Sequence, residues 1–253
     1  MTAPGQEVAF FLREPLSAEA PLPRSGRIYL GDETCERRLP AMATLESLVS
    51  RRNEIAGLTL MTPLLTDEGM ARVAETVARL SAAFGRGFEV VANDWGVLEL
   101  LERMGGRGAE LVCGRLLAGR YMFFDSFPEE FLDLLAARGV RRVELNSAAQ
   151  LRATRGRLRE RGMKTHLHWP AMFLTATRFC PCDGAFAGPD REAIASCSRS
   201  CDRRFAVMTH PSGRRLILRG NAYLALHEGL SGPPEEADRI VHDDLPAGLD
   251  PSA

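Results

Sequence analysis

From Arg27 to Trp169, short apolar runs alternate with longer stretches of helical period, the signature of repeated strand–helix units around a parallel sheet. The runs are RIYLG (27–31), GLTLMT (57–62), FEVVAN (88–93), AELVCG (109–114), RRVELN (141–146) and KTHLHW (164–169), and Val8 to Leu12 reads as an earlier strand. Met70, Val73, Val77, Leu80 and Phe84 recur at spacings of three and four, which predicts a helix over Asp67 to Phe84 with one apolar stripe for a sheet. A second helix is predicted from Pro128 to Gly139. Its proline and two glutamates suit the positive N-terminal end, and Arg138 and Gly139 suit the other. RRFAVMT (203–209) and RRLILRG (214–220) read as a hairpin around His210 to Gly213.

Six or seven strands joined by helices fit either an open doubly wound α/β sheet or a TIM-like (β/α) barrel, and periodicity does not separate the two. Arg13 to Ser25 holds three prolines and is too short and broken for a full helix between the first two strands. The segment from Ser231 is rich in Pro, Gly and Asp, which predicts fraying. The expected organisation is one barrel-like domain over 1–230, including a cysteine-rich segment at 178–205, followed by a flexible tail over 231–253.

Composition narrows the function classes. Lys plus Arg total 32 against 33 for Asp plus Glu, a net charge of -1, so no broad field favours nucleic acid or an anionic membrane. No apolar run is long enough for a membrane span, and MTAPGQEVAF lacks the pattern of a secretory leader, which leads to the expectation of a cytoplasmic protein. In a reducing compartment six cysteines point to a metal or to catalysis rather than to disulfides.

Cys113, inside the apolar run AELVCG, reads as a small buried hydrophobe. Cys180, Cys182, Cys197 and Cys201 differ. They lie in a polar, Gly- and Pro-interrupted segment beside Asp183, Arg191, Arg199, Asp202 and Arg203, where burial of an inert thiol has little to recommend it. Clustered thiolates repel unless a cation neutralises them, and they are the soft ligands that zinc and iron–sulfur clusters both prefer. Cys197 and Cys201, four apart, would share one side of a helical turn. A zinc ribbon usually shows two knuckles with two residues between the cysteines. Here the gaps are one residue (Cys180 to Cys182) and three (Cys197 to Cys201), so a further ligand from elsewhere is expected. Cys35 is the candidate, because it follows the RIYLG strand directly, at the strand end where barrels and open sheets carry their sites. Zinc and iron–sulfur both remain open on the spacing.

IYLGDETCERR (28–38), NDWGVL (93–98), RVELNS (142–147) and the stretch from His166 to Cys201 together resemble the collagenase-like peptidase family, and within it the UbiV-like accessory proteins of oxygen-independent ubiquinone synthesis. That resemblance implies a TIM-like barrel, compact or incomplete because the chain stops soon after LRGNAYLALHEGL, with a 4Fe-4S cluster held by Cys35, Cys180, Cys197 and Cys201. Cys182 has no counterpart in the pattern and is a substitute or a spare thiol. The activity it implies is oxygen-independent hydroxylation of a small aromatic or prenylated substrate of the ubiquinone type, as enzyme or accessory subunit, in a heterodimer with a related chain.

Other residues carry weaker signals. His166 and His168 alternate along KTHLHW and face one side of a strand, as substrate contacts or as hydrogen-bonded strand-end histidines. Asn93, Asp94 and Trp95 end a strand and begin a helix, where one of them caps and another is placed to meet a ligand. Glu144 and Asn146 point away from Val143 and Leu145, either into a barrel or into solvent. His168, Glu144 and Asn93 are the candidate substrate contacts, and Arg37 and Arg38 could pair with an anion or lie at the surface. Protease chemistry has little support, since HExxH and GxSxG are both absent. A zinc-stabilised binding module and an RNA-hydroxylating member of the same family are the alternatives, the latter because RATRGRLRERG (152–162) is rich in arginine, although a solvated helix face explains that as well.

Overall fold

The computed structural model describes residues 5–12, 22–23, 25–105, 108–122, 127–177, 180–181, 197, 199, 201, 205–227, 229–243 and 245. Seven strands come first: β1 (Glu7–Phe11), β2 (Arg27–Gly31), β3 (Leu58–Thr62), β4 (Phe88–Ala92), β5 (Ala109–Cys113), β6 (Arg142–Leu145) and β7 (Lys164–Trp169). Helices α1 (Met42–Ser50), α2 (Asp67–Phe84), α3 (Trp95–Arg103), α4 (Arg115–Gly119), α5 (Glu129–Ala137) and α6 (Ala148–Glu160) lie between them. An antiparallel excursion follows: β8 (Ala171–Ala176), β9 (Ala206–Thr209), β10 (Arg215–Arg219) and β11 (Ala222–Leu226). Finally β12 (Arg239–His242) enters between β7 and β1 and closes an eight-stranded parallel barrel in the order β1-β12-β7-β6-β5-β4-β3-β2.

The α/β barrel is therefore complete, and the tail expected over 231–253 contains its closing strand. RIVH is four residues long, too short for its period to be read, and its first inward residue is an arginine. What holds it is non-local, namely two parallel neighbours and a buried ion-pair network at Arg239. The hairpin around His210 is present as β9 and β10, while β8 and β11 were not separated from their surroundings by sequence pattern. The connection over 13–21 lies outside the described residues.

Strand alternation sorts the core. Ile28, Leu30, Leu58, Leu60, Phe88 and Val90 point outward against the helices, and Ala9, Tyr29, Met61, Val91, Val112 and Val241 fill the barrel. Helix α2 spans the predicted range. Thr66 caps it by accepting from Gly69 N–H at 3.2 Å, Asp67 and Glu68 occupy its first turn, and Val73, Val77 and Leu80 are buried. Each of those three contributes roughly 1.5–3 kcal/mol by leaving water. Helix α5 begins after Pro128, and Gly139, with φ +74°, ends it in the left-handed conformation.

The barrel floor is charged. Glu89 on β4, 1 % exposed, accepts from both terminal nitrogens of Arg239 (2.6 and 2.8 Å) and from the Thr59 hydroxyl (2.8 Å), and it forms an ion pair with Arg142 Nε at 2.9 Å. Glu7 bridges Arg239 and Arg27 from β1. Three arginines around one buried carboxylate plug the N-terminal end and leave the opposite end for a site.

Candidate functional site at the C-terminal mouth

A polar chain climbs from the floor to the mouth. The Tyr29 hydroxyl donates to Glu144 at 2.9 Å, and His168 lies between Glu144 (Nε2, 3.1 Å) and Asp243 (Nδ1, 3.2 Å), which follows β12. Asp243 faces Arg115 at 3.7 Å, and Arg115 grips Glu33 with two hydrogen bonds of 2.7 and 2.5 Å. Arg115 also donates to the Ala171 carbonyl at 3.1 Å, so it ties the loop after β2 to the start of β8.

The two histidines sit one strand pitch apart and carry opposite charge states. Burial and the Arg239 guanidinium push His166 well below its ordinary value, so it is neutral, with Nδ1 accepting from Arg239 and Nε2 buried without a partner. For His168, burial and Arg115 disfavour the charged form, but Glu144 and Asp243 outweigh them and raise it to about 9. A raised folded value stabilises the fold fully below about pH 6.5 and loses that contribution as the pH rises through about 9, a span worth about 3 kcal/mol. Urea unfolding is therefore expected to show His168→Gln losing its stability deficit relative to the wild type as the pH rises from about 6.5 to 9.5. A deficit constant with pH would assign the charge elsewhere.

The sequence candidates divide accordingly. His168 and Glu144 face the barrel interior, fully buried and bonded to each other and to Asp243 and Tyr29. Asn93 is also fully buried. It donates to the Thr62 carbonyl (2.9 Å) and accepts from Leu116 N–H (3.0 Å), which locks strand ends together. Asp94 is the helix cap of α3, and Trp95 packs on Tyr121 and Phe131 in the outer layer. Asn146 makes two bonds to the Phe173 backbone, 2.7 and 2.6 Å, and seats β8. Arg38 is engaged with Asp32 at 2.6 Å. On α6, Arg157 and Arg161 pair with Glu129, Arg161 also with Asp133, and Arg159 with Asp238, so these charges are spent on the protein itself. Arg115, Glu33, Asp32 and Asp243 escaped the sequence reading. A single charged residue after an apolar run looks the same whether it turns into a mouth or out to water.

Between the barrel mouth and the small sheet is a cleft of about 50 Å³, bordered by Phe11, Asp32, Glu33, Arg115, Leu224 and Asp243. That is room for water or a small polar group.

Cys35 follows Thr34 of the cleft wall and neighbours Cys197. Asp32 Oδ1 accepts from the N–H groups of Thr34 (2.7 Å) and Cys35 (3.0 Å), which shapes the loop that carries Cys35. Burial, the Asp32 carboxylate and the neighbouring Cys197 thiol push Cys35 up to about 11, so a free Cys35 is a neutral thiol and no nucleophile at pH 7. Cys201 is buried with its sulfur against Gly220, and Cys180 follows the end of β8. Cys113 is buried inside the barrel wall, as its apolar run predicts, and Cys182 lies outside the described residues. Among the described residues no three His, Cys, Asp or Glu side chains close on a single ion. In kind, thiols are donors that suit a soft metal centre. Cys35 and Cys197 are neighbours, and Asn221 Oδ1 is left buried without a partner near the Cys35 loop.

No protein-family model matches the chain, and no curated protein matches it. Among solved structures it is similar to the U32 peptidase Mk0906, with 13% identity over 94% of this chain and 92% of that one and a TM-score of 0.47. It is also similar to a mutant tryptophan synthase α-subunit from the hyperthermophile Pyrococcus furiosus, with 11% identity over 64% of this chain and 77% of that one and a TM-score of 0.41. No helix among the described residues is long and apolar enough to cross a membrane.

Proposed function

We propose that this chain is an iron–sulfur protein of the collagenase-like peptidase type, the cluster-holding subunit in an oxygen-independent hydroxylation of a small aromatic or prenylated, ubiquinone-type substrate. The observation that supports it is the pairing of Cys35 with Cys197 at the C-terminal mouth of a barrel, the end where such folds place their chemistry. Cys35, Cys180, Cys197 and Cys201 would hold the cluster. A bound 4Fe-4S group supplies one-electron redox chemistry. The chain's own part is to fix the Cys35 loop through Asp32, to shield the mouth with the small sheet, and to keep Arg115 and Glu33 rigid beside it. In this reading the chain is an accessory subunit in a heterodimer with a related, substrate-bearing chain in the cytoplasm.

The test is anaerobic purification of wild type and Cys35→Ala, with visible absorption and iron, sulfide and zinc analysis. The expected wild type is brown with about four iron and four sulfide per chain, and the variant loses them or retains a degraded cluster. Colourless protein with one zinc, unaffected by Cys35→Ala, would replace this reading with a zinc-stabilised binding module.

A further inference from the structure

We infer that Asn221 is a positioning residue for the thiol site, a clamp that holds the Cys35 loop against the segment leading to Cys180 and the turn that covers Cys201. This inference rests on the thiol-site reading above and adds to it a residue that contributes no ligand.

Gly220 and Asn221 form the two-residue tip of the β10–β11 hairpin, flanked by the Arg219–Ala222 pair. Gly220, with φ +62°, supplies the left-handed first position that a tight hairpin of this kind requires. Hairpin tips ordinarily stand in water. This one is buried: Asn221 is 9 % exposed, and Gly220 lies against Cys201, whose sulfur would be 3.6 Å from a Cβ added there.

The Asn221 amide spans two distant segments. Its Nδ2 donates to the Thr34 carbonyl at 2.8 Å, one residue before Cys35, and to the Thr177 carbonyl at 3.0 Å, three residues before Cys180. The Asn221 carbonyl accepts from Thr177 N–H at 2.8 Å. Two carbonyl acceptors fix which end of the amide is nitrogen, because only an NH₂ group satisfies both. Asn221 Oδ1 has no partner, an arrangement that is unfavourable for a buried oxygen and persists here only because the two donors hold the side chain in place. One side chain thus ties the segments that bear Cys35 and Cys180 to the hairpin tip whose Gly220 lies against Cys201.

The experiment uses Asn221→Ala and Asn221→Asp in the full chain. Aspartate keeps the shape and the free oxygen but sets an acceptor against two carbonyls, so it should fail as alanine does. In protein stripped of metal and held at about pH 9.5, where a measurable share of each thiol is ionised, iodoacetamide labelling read peptide by peptide is expected to be about tenfold faster at Cys35 and Cys201 in both variants, within the range that loss of two ordinary hydrogen bonds predicts. Cys113, buried in the barrel wall, should stay as protected as in the wild type. In protein purified without oxygen, both variants are expected to lose visible absorption to a chelator faster than the wild type. Wild-type labelling rates in both variants, or labelling of Cys113 that rises in step with Cys35, would overturn the clamp. A wild type without iron and sulfide would overturn the cluster while leaving the labelling contrast to judge Asn221 by itself.

Discussion

Arg239→Met is expected to lower the free energy of unfolding by about 3–5 kcal/mol, the cost of breaking a buried ion pair from one side. Arg239 is fully buried, and its guanidinium meets Glu89 with two bonds, Glu7 with two, and the Tyr29 hydroxyl and His166 Nδ1 with one each. Methionine fills much of the space, so cavity formation is a small part of the loss and the bonds lost by the buried Glu89 and by Glu7 are the large part. Arg142 at 2.9 Å and Arg27 at 3.6 Å still face Glu89 in the variant, which keeps the cost from growing further. In a chain of this size the loss corresponds to a thermal midpoint lower by roughly 10 °C. Glu89→Gln keeps the shape and the Thr59 contact while removing the charge, and each arginine retains Glu7 or Glu110, so its loss should be clearly smaller. Equal and small losses in both variants would mean that the floor is tolerated rather than used. Because β12 enters the barrel through Arg239, Arg239→Met should also raise hydrogen exchange along β1 and β7, its two neighbours.

That network explains which parts of the molecule the sequence discloses. The apolar runs at 58–62 and 88–92 are buried over their whole length, so they are legible as strands, and the α2 stripe is legible because one face packs against the barrel. Strand β12 is illegible because its inward residue Arg239 is satisfied by Glu7 and Glu89, more than 140 residues away in the chain. The same distance hides the mouth. Cys35 is foreseeable because a thiol after a strand has few innocent explanations, and the thiols beyond Cys180 because they cluster. His168, Glu144 and Asn93 are foreseeable as inward polar residues but not as saturated ones, since the partners that consume them, Asp243, Tyr29 and the Thr62 carbonyl, come from other strands. Period tells which side of a strand a residue occupies. It carries no information on what waits there.

Arg115→Met is expected to have its largest effect at the mouth rather than on the barrel. Arg115 is 3 % exposed, and two carboxylates, Glu33 and Asp243, owe it their compensation; Arg115 and His168 together hold Asp243 below the ordinary carboxylate range. Removing the guanidinium takes from Glu33 both of its bonds to Arg115, while Asp243 keeps His168, so Glu33 is the group released toward water. Glu33 lies two residues from Cys35, and the Ala171 carbonyl that Arg115 also holds begins β8, so one substitution releases both sides of the cleft. The expected cost is again about 3–5 kcal/mol if the mouth stays closed, and less if the loop opens to hydrate Glu33. Opening is the expected outcome because the loop ends at the surface, whereas the floor has no such escape. Hydrogen exchange should therefore rise at 32–36 and 171–173 while β3 and β4 stay protected. Arg115→Lys should behave almost as badly, because a point charge cannot grip both Glu33 oxygens and reach the Ala171 carbonyl. Protection at 32–36 equal to wild type in both variants would show that the Asp32 turn holds the Cys35 loop without help. The mouth would then owe its shape to the small sheet alone.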